Sequence, residues 1–345
     1  MSQPLDTYSA SNVDWRRSLS VNNRRTFIVI GIFFLIYLCL GLLVDTYIVS
    51  GRYPQASLPQ LLQALVTLKL FPLATCVMLL VAGFSLLITF SMHDRLMLLG
   101  TDYHEVTNES TDPVDKQLYN VVEEMKIAAG LNFIPKVYII EADYMNAFAS
   151  GYSEKSAMVA ITRGLVVKLN RSELQAVMAH ELSHIRHLDI KLTLMASVLA
   201  NLMLMVLDIF FYNAIFSQRD SDNRSRNSLL SVIIILRYLL PVINVLLLLY
   251  LSRTREYLAD AGAVQLMRDN QPLASALLKI SDDHTSNQAT YSAQYQQTPH
   301  ENVRREAYIF DPVQAGIEPA RTLADMFSTH PDMKDRLAAI GFTRK

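Results

Sequence analysis

The chain has 345 residues, 51% of them hydrophobic and only 18% charged, a composition too apolar for an ordinary soluble domain and unlike any disordered or collagen-like chain. A net charge of −1 provides no basic field, which excludes nucleic acid as a partner. The two cysteines, Cys39 and Cys76, both fall within greasy stretches, excluding a disulfide framework, a disulfide-linked partner and a thiolate metal site.

Residues 1–25 form a polar tail with Arg16, Arg17, Arg24 and Arg25 ahead of the first apolar run and no cleavage pattern after it, so the tail is read as the start of an uncleaved anchor. Thr26 to Val44 and Phe71 to Met92 carry no charge and are long enough to cross a hydrocarbon core about 30 Å thick. They form a first membrane hairpin over residues 26–92. Only Arg52 and Lys69 are basic in the loop between them, and the positive-inside rule then places the amino terminus in the cytoplasm.

Residues 93–191 read as the first half of a water-facing domain, with a helix over Pro113 to Gly130 and extended runs at Lys136 to Glu141 and Ser156 to Ile161. A second hairpin, 192–252, contains Leu192 to Phe216 and Leu229 to Leu251. Each span holds one charge, Asp208 or Arg237, about 23 Å along from the cytoplasmic ends. The two residues either pair with each other or lie at the far interface or in a wet cleft. Arg219, Arg224 and Arg226 in the connecting loop run against the orientation set by the first helix. Residues 253–345 form the second half-domain, mostly helical, with an aperiodic polar stretch from Ser281 to His300 read as loop.

The chemistry concentrates in His180-Glu181-Leu182-Ser183-His184. Ser172, with Gln175 three residues on, marks a capping-box start for the helix that carries it. One turn separates the two histidines, so both can hold one cation through nitrogen, while Glu181 stands beside the ion as a general base. A third ligand is needed. His187 is the local candidate, but three ligands on one straight helix strain a tetrahedral site. Glu256 and Asp260, again one turn apart and just past the last span, are the distant candidates: Glu256 as ligand, Asp260 accepting the free ring N–H of a liganding histidine.

Together with Asn146-Ala-Phe-Ala-Ser-Gly151 and Ser328-Thr-His330-Pro331, these motifs resemble the HtpX-type membrane zinc metalloproteases, relatives of the CAAX prenyl endopeptidases. The resemblance covers the whole order of elements. It implies an α+β fold: a predominantly helical, gluzincin-type zincin domain with a small edge-exposed sheet, carried by four transmembrane helices. It further implies one Zn2+ per chain, a substrate strand pairing near Asn146 and along Ala157, Val159 and Ile161, and an oxyanion stabilised by His330 and Arg336. Asp332 follows His330-Pro331 where the family often has a second proline.

The expected function is zinc-dependent endopeptidase cleavage of damaged or misfolded membrane proteins. The enzyme would be a multi-pass protein of the bacterial inner membrane in contact with the lipid bilayer, its site facing the cytoplasm. Continuing helices would put the metal about 8 to 12 Å from the membrane surface. The alternatives are a catalytically retired scaffold or chaperone and a more specific processing protease of the CAAX-endopeptidase type. A transporter fits poorly, because the spans lack a Gly/Pro-broken pair.

Overall fold

A computed structural model describes residues 8–10, 15–151, 153–187, 203–209, 211–212, 224–298, 304–305, 307–317 and 330–344. The protein is mostly helical with a small sheet, and it divides into two compact units. One comprises residues 1–26, 90–192 and 249–345, the other 27–89 and 193–248.

In chain order the elements are β1 (Tyr8–Ala10), α1 (Trp15–Arg52), α2 (Leu58–Val66), α3 (Leu73–Leu98), β2 (Tyr103–Val106), α4 (Pro113–Ala129), β3 (Lys136–Ile140), β4 (Ala147–Ser150), β5 (Met158–Thr162), α5 (Arg163–Lys168) and α6 (Arg171–His187). They continue with α7 (Arg224–Met267), α8 (Gln271–Ser286), α9 (Gln288–Gln297), α10 (Met333–Ala339) and β6 (Phe342–Arg344).

The unit built on 27–89 and 193–248 packs Leu40, Tyr47, Met78, Met203, Leu207, Leu229, Ile233 and Leu240 into one apolar cluster. Buried Asp45 closes the first hairpin. Its carboxylate accepts from the Ala74 and Thr75 amides and from Thr75 Oγ1 at 2.7–2.9 Å, satisfying donors that the first turn of α3 cannot pair within the helix. The two charged residues of the second hairpin do pair: Arg237 Nε lies 3.2 Å from Asp208 Oδ1, with the guanidinium 3.9 Å above the Phe211 ring. Among the described residues one helix, Ser231–Met267, is long and apolar enough to cross a membrane. Helix α1, 38 residues long, includes Thr26 to Val44, and α3, 26 residues long, begins at Leu73, two residues into the second expected span. Much of the third, with the loop holding Arg219, lies outside the described residues.

The other unit is organised by a four-stranded sheet in the order β2-β3-β5-β4, parallel between β3 and β5 and antiparallel elsewhere. Helix α4 starts where Asp112 accepts from the Val114 amide at 2.7 Å and stops at Gly130, which takes the left-handed conformation at φ 70° favoured at helix ends. It packs against α6, whose Leu174, Ala176, Val177 and Met178 are fully buried.

Two expectations are corrected here. Helix α6 is capped two residues earlier than Ser172: Asn170 Oδ1 accepts from the Glu173 amide at 2.9 Å and Glu173 Oε2 from the Asn170 amide at 3.0 Å. The stretch from Ser281 is helical, through α8 and α9. His284, Tyr291 and Tyr295 recur at helical spacing and are buried, so sparse aromatic residues anchor what reads as a polar loop.

Candidate metal centre

Helix α6 presents His180 and His184 from adjacent turns, with ring centroids 4.8 Å apart and planes at 88°. Their Nε2 atoms face each other at 3.3 Å. From α7, Glu256 brings Oε2 to 3.6 Å from His180 Nε2 and Oε1 to 3.6 Å from His184 Nε2. One ligand atom from each of the three residues lies within 4.8 Å of the others, and all three residues are buried.

The approach of α7 to α6 depends on Gly262, where a Cβ would come within 2.5 Å of Ser183 Oγ. Nothing in the sequence reading singles out this glycine. Its one signal is a run of small residues, Ala259-Asp260-Ala261-Gly262-Ala263, immediately after the acidic pair.

Asp260, wholly buried, places Oδ1 at 3.0 Å from His180 Nδ1. Arg336 of α10 grips the same carboxylate with two donors, Nε to Oδ2 at 2.9 Å and Nη2 to Oδ1 at 2.6 Å, and donates through Nη1 to the Ile309 carbonyl at 2.6 Å. His330 brings Nε2 to 3.8 Å from Glu256 Oε1. Glu181 is buried, and neither of its oxygens has a hydrogen-bond partner.

The electrostatics follow from burial opposed by charge. Burial raises the Glu181 pKa above the usual carboxylate range, although His180 and His184 pull it down. Burial would raise Glu256 as well, but His330, His180, His184 and Arg336 outweigh it and hold Glu256 well below that range. Asp260 is likewise lowered, burial being overcome chiefly by Arg336. His180 goes to about 9, because the Asp260 and Glu256 carboxylates overcome its desolvation. Burial lowers His330.

This donor set fits zinc. Two nitrogens held by a tetrahedral zinc at about 2.0 to 2.1 Å stand about 3.3 to 3.4 Å apart, the separation of the two Nε2 atoms. Oε2 of Glu256 is buried without a hydrogen-bond partner, with His180 Nε2 at 3.6 Å and Arg336 Nη2 at 3.7 Å, so it keeps an open acceptor for a metal. His187 is no part of the group: its Nδ1 is 2.8 Å from the Ser183 carbonyl.

Several sequence expectations meet a different geometry. Ala157, Val159 and Ile161 belong to the β5 region, and β5 itself is hydrogen-bonded to β3 on one side and β4 on the other. Its main chain offers no free edge for a substrate strand. The sheet edge beside α6 is β4. The Asn146 side chain, expected near substrate, is fully buried and spent on the protein itself. Its Nδ2 donates to the Phe310 carbonyl at 3.0 Å and to Tyr295 Oη at 3.2 Å, while its Oδ1 accepts from the Ala147 and Phe310 amides. Arg336, expected at the oxyanion, donates to Asp260 and to the Ile309 carbonyl and brings Nη2 to 3.7 Å from Glu256 Oε2. Ser328 and Thr329, ahead of His330, lie outside the described residues.

The profile of peptidase family M48 matches residues 113–343, which contain every one of these groups. The chain belongs to peptidase family M48. This M48 chain is 36% identical to a protease HtpX homolog of Helicobacter pylori (strain Shi470), over 95% of its own length and 98% of the relative's. It is also 36% identical to a protease HtpX homolog of Dictyoglomus thermophilum, over 71% of its length and 73% of the relative's. A crystal structure of S. mikatae Ste24p aligns with a TM-score of 0.48 at 16% identity, over 96% of this chain and 68% of that one. As an M48 member the chain is a membrane metalloprotease, a family in which zinc is the typical metal.

Proposed function

We propose that the chain is a zinc-dependent endopeptidase that cleaves damaged or misfolded membrane proteins. It would be held in the bacterial inner membrane by four helices in two hairpins, 26–92 and 192–252, with catalytic halves 93–191 and 253–345 on the cytoplasmic side. One observation carries the reading: His180, His184 and Glu256 converge to within 4.8 Å, with the buried Glu181 carboxylate, which lacks a hydrogen-bond partner, on the same helix as the histidines, in a chain of a peptidase family.

His180 Nε2, His184 Nε2 and Glu256 would hold zinc. When bound, zinc supplies Lewis acidity toward a scissile carbonyl and makes water a usable nucleophile near neutral pH. Glu181 takes the proton of the attacking water on a carboxylate oxygen and returns it to the departing amide nitrogen. Asp260 Oδ1, 3.0 Å from His180 Nδ1, would accept its proton in a hydrogen bond and so fix the tautomer that leaves Nε2 for the metal. Arg336 acts through Asp260 as a positioning residue, and His330, whose Nε2 lies 3.8 Å from Glu256 Oε1, would donate to negative charge developing on the carbonyl oxygen.

The substrate would enter as an extended strand along β4, the edge beside α6. Pairing through main-chain groups grips many sequences with little selectivity, as a quality-control protease requires. A membrane-protein substrate class is supported by α7, a single helix that holds an apolar stretch, with Pro241 inside it, as well as Glu256 and Asp260. The deciding comparison is zinc content and cleavage of a detergent-solubilised, unfolded membrane protein by the wild type and Glu181→Gln. The variant is expected to keep its zinc and lose cleavage; equal cleavage by both would remove Glu181 from the mechanism.

A further inference from the structure

Strand β4 is the edge the substrate needs, and the chain already covers it. Tyr308 pairs with Phe148 as an antiparallel bridge, and the Ile309 amide donates to the Ala147 carbonyl at 2.9 Å. These are the main-chain positions at which an entering strand would pair. The covering segment is seated by side chains as well: the Tyr308 ring stands edge-on to Phe148 at 5.7 Å, and Tyr308, Ile309, Phe310 and Asp311 are all buried.

We propose that residues 307–311 form a built-in strap that occupies the substrate's place on β4 and must leave it before a protein chain can be cleaved. The inference rests on β4 being the substrate-pairing strand, as argued above.

The fastenings of the strap are of two kinds. Asn146 acts as a side-chain imitation of a strand, donating to the Phe310 carbonyl and accepting from the Phe310 amide. Arg336 holds the Ile309 carbonyl with the same guanidinium that grips Asp260. Arg305 closes the segment on itself through Asp311, Nε to Oδ1 at 3.0 Å. Among the described residues the strap meets β4 at the Phe148–Tyr308 bridge and at the Ile309–Ala147 hydrogen bond, whereas an extended substrate is not confined to so short a segment. A longer extended chain therefore competes on favourable terms for the main-chain positions, and β-strand addition of this kind is a recurrent mode of peptide capture. Through Arg336, departure of the strap removes one acceptor from the group that positions Asp260. Occupation of β4 and the order of the metal site are thereby physically joined.

A reversible staple tests the strap. In the antiparallel register that pairs Phe148 with Tyr308, Ala149 lies opposite Ala307, at a spacing suited to a disulfide. The full chain would carry Ala149→Cys and Ala307→Cys in a background of Cys39→Ala and Cys76→Ala, with fluorescein-labelled casein as an unstructured substrate. The rate of the reduced double-cysteine enzyme is the reference for its oxidised form. Oxidation with diamide should lower the rate at least tenfold at unchanged zinc content, and reductant should restore it. Oxidised, demonstrably cross-linked enzyme that cleaves as fast as the reduced form would overturn the strap. Where the cysteines themselves impair the reduced enzyme, Ile309→Pro carries the test. It deletes the amide that donates to Ala147 and is expected to raise the rate severalfold; an unchanged or lower rate in protein that keeps its zinc overturns the proposal. The mechanism fails separately, through Glu181→Gln that still cleaves.

Discussion

Each residue of the metal group is specified by a neighbour as much as by its own chemistry. Glu181→Gln keeps the volume and removes the base, so kcat is expected to fall by about 10² to 10⁴ at unchanged zinc content, measured side by side. Asp260→Asn leaves an amide opposite His180 Nδ1 and breaks the two-donor grip of Arg336. Zinc affinity in chelator competition is expected to drop about 10- to 100-fold. His284 gives a pH signature away from the metal. Its Nδ1 lies 2.9 Å from the Ile280 carbonyl and its Nε2 3.1 Å from Tyr295 Oη, contacts that suit a neutral ring donating from Nδ1 and accepting at Nε2. Burial depresses its pKa from 6.5 to about 4. Above pH 6.5 the ring is neutral whether the chain is folded or unfolded. Below it the unfolded chain takes up a proton that the folded one refuses until about pH 4, so stability falls through that window and levels off beneath it, by on the order of 3 kcal/mol. The thermal midpoint should drop between pH 7 and 4.5 in the wild type and much less in His284→Gln; equal drops would contradict this.

At the scale of elements, what could be read from the sequence was local chemistry, and what could not was partnership between distant segments. The histidines of α6 and the acidic pair of α7 declare themselves by one-turn spacing, and the structure places them face to face. Helix α4 is announced by Asp112-Pro113 at its start and Gly130 at its end. Strand order is different in kind: Ser156 to Ile161 reads as an extended run with no sign that both its edges are taken, because the strands beside it are chosen by tertiary packing. The start of α6 was misplaced because Ser172-x-x-Gln175 and Asn170-x-x-Glu173 both satisfy the capping pattern. Glu173 settles the choice through distant partners, Ser275 Oγ at 2.6 Å and Lys279 Nζ at 2.7 Å. Asn170→Ala is therefore expected to destabilise the chain by about 1 kcal/mol, read as a lowered thermal midpoint, with Ser172→Ala close to neutral. Gly262 escaped notice for the same reason: its importance lies in the neighbouring helix. Gly262→Ala should push α7 from α6 and reduce zinc retention, whereas Gly51→Ala, with open space around its Cβ position, should not.

At the scale of the whole molecule, the composition already required a greasy part and a water-facing part, and the chain does divide into two compact units, one of them interrupted in sequence by residues 193–248 of the other. The strap over β4 belongs to this scale, since it draws on β4, α10 and the segment around Tyr308, far apart in the chain. The central claim is that two imidazoles from one helix and a carboxylate from another hold a single zinc. Metal analysis of the detergent-purified full chain after dialysis, run beside Glu256→Gln, tests it most directly. One zinc per wild-type chain and at least a tenfold loss in Glu256→Gln are expected. A wild type without zinc, or a variant that retains it in full, would contradict the claim.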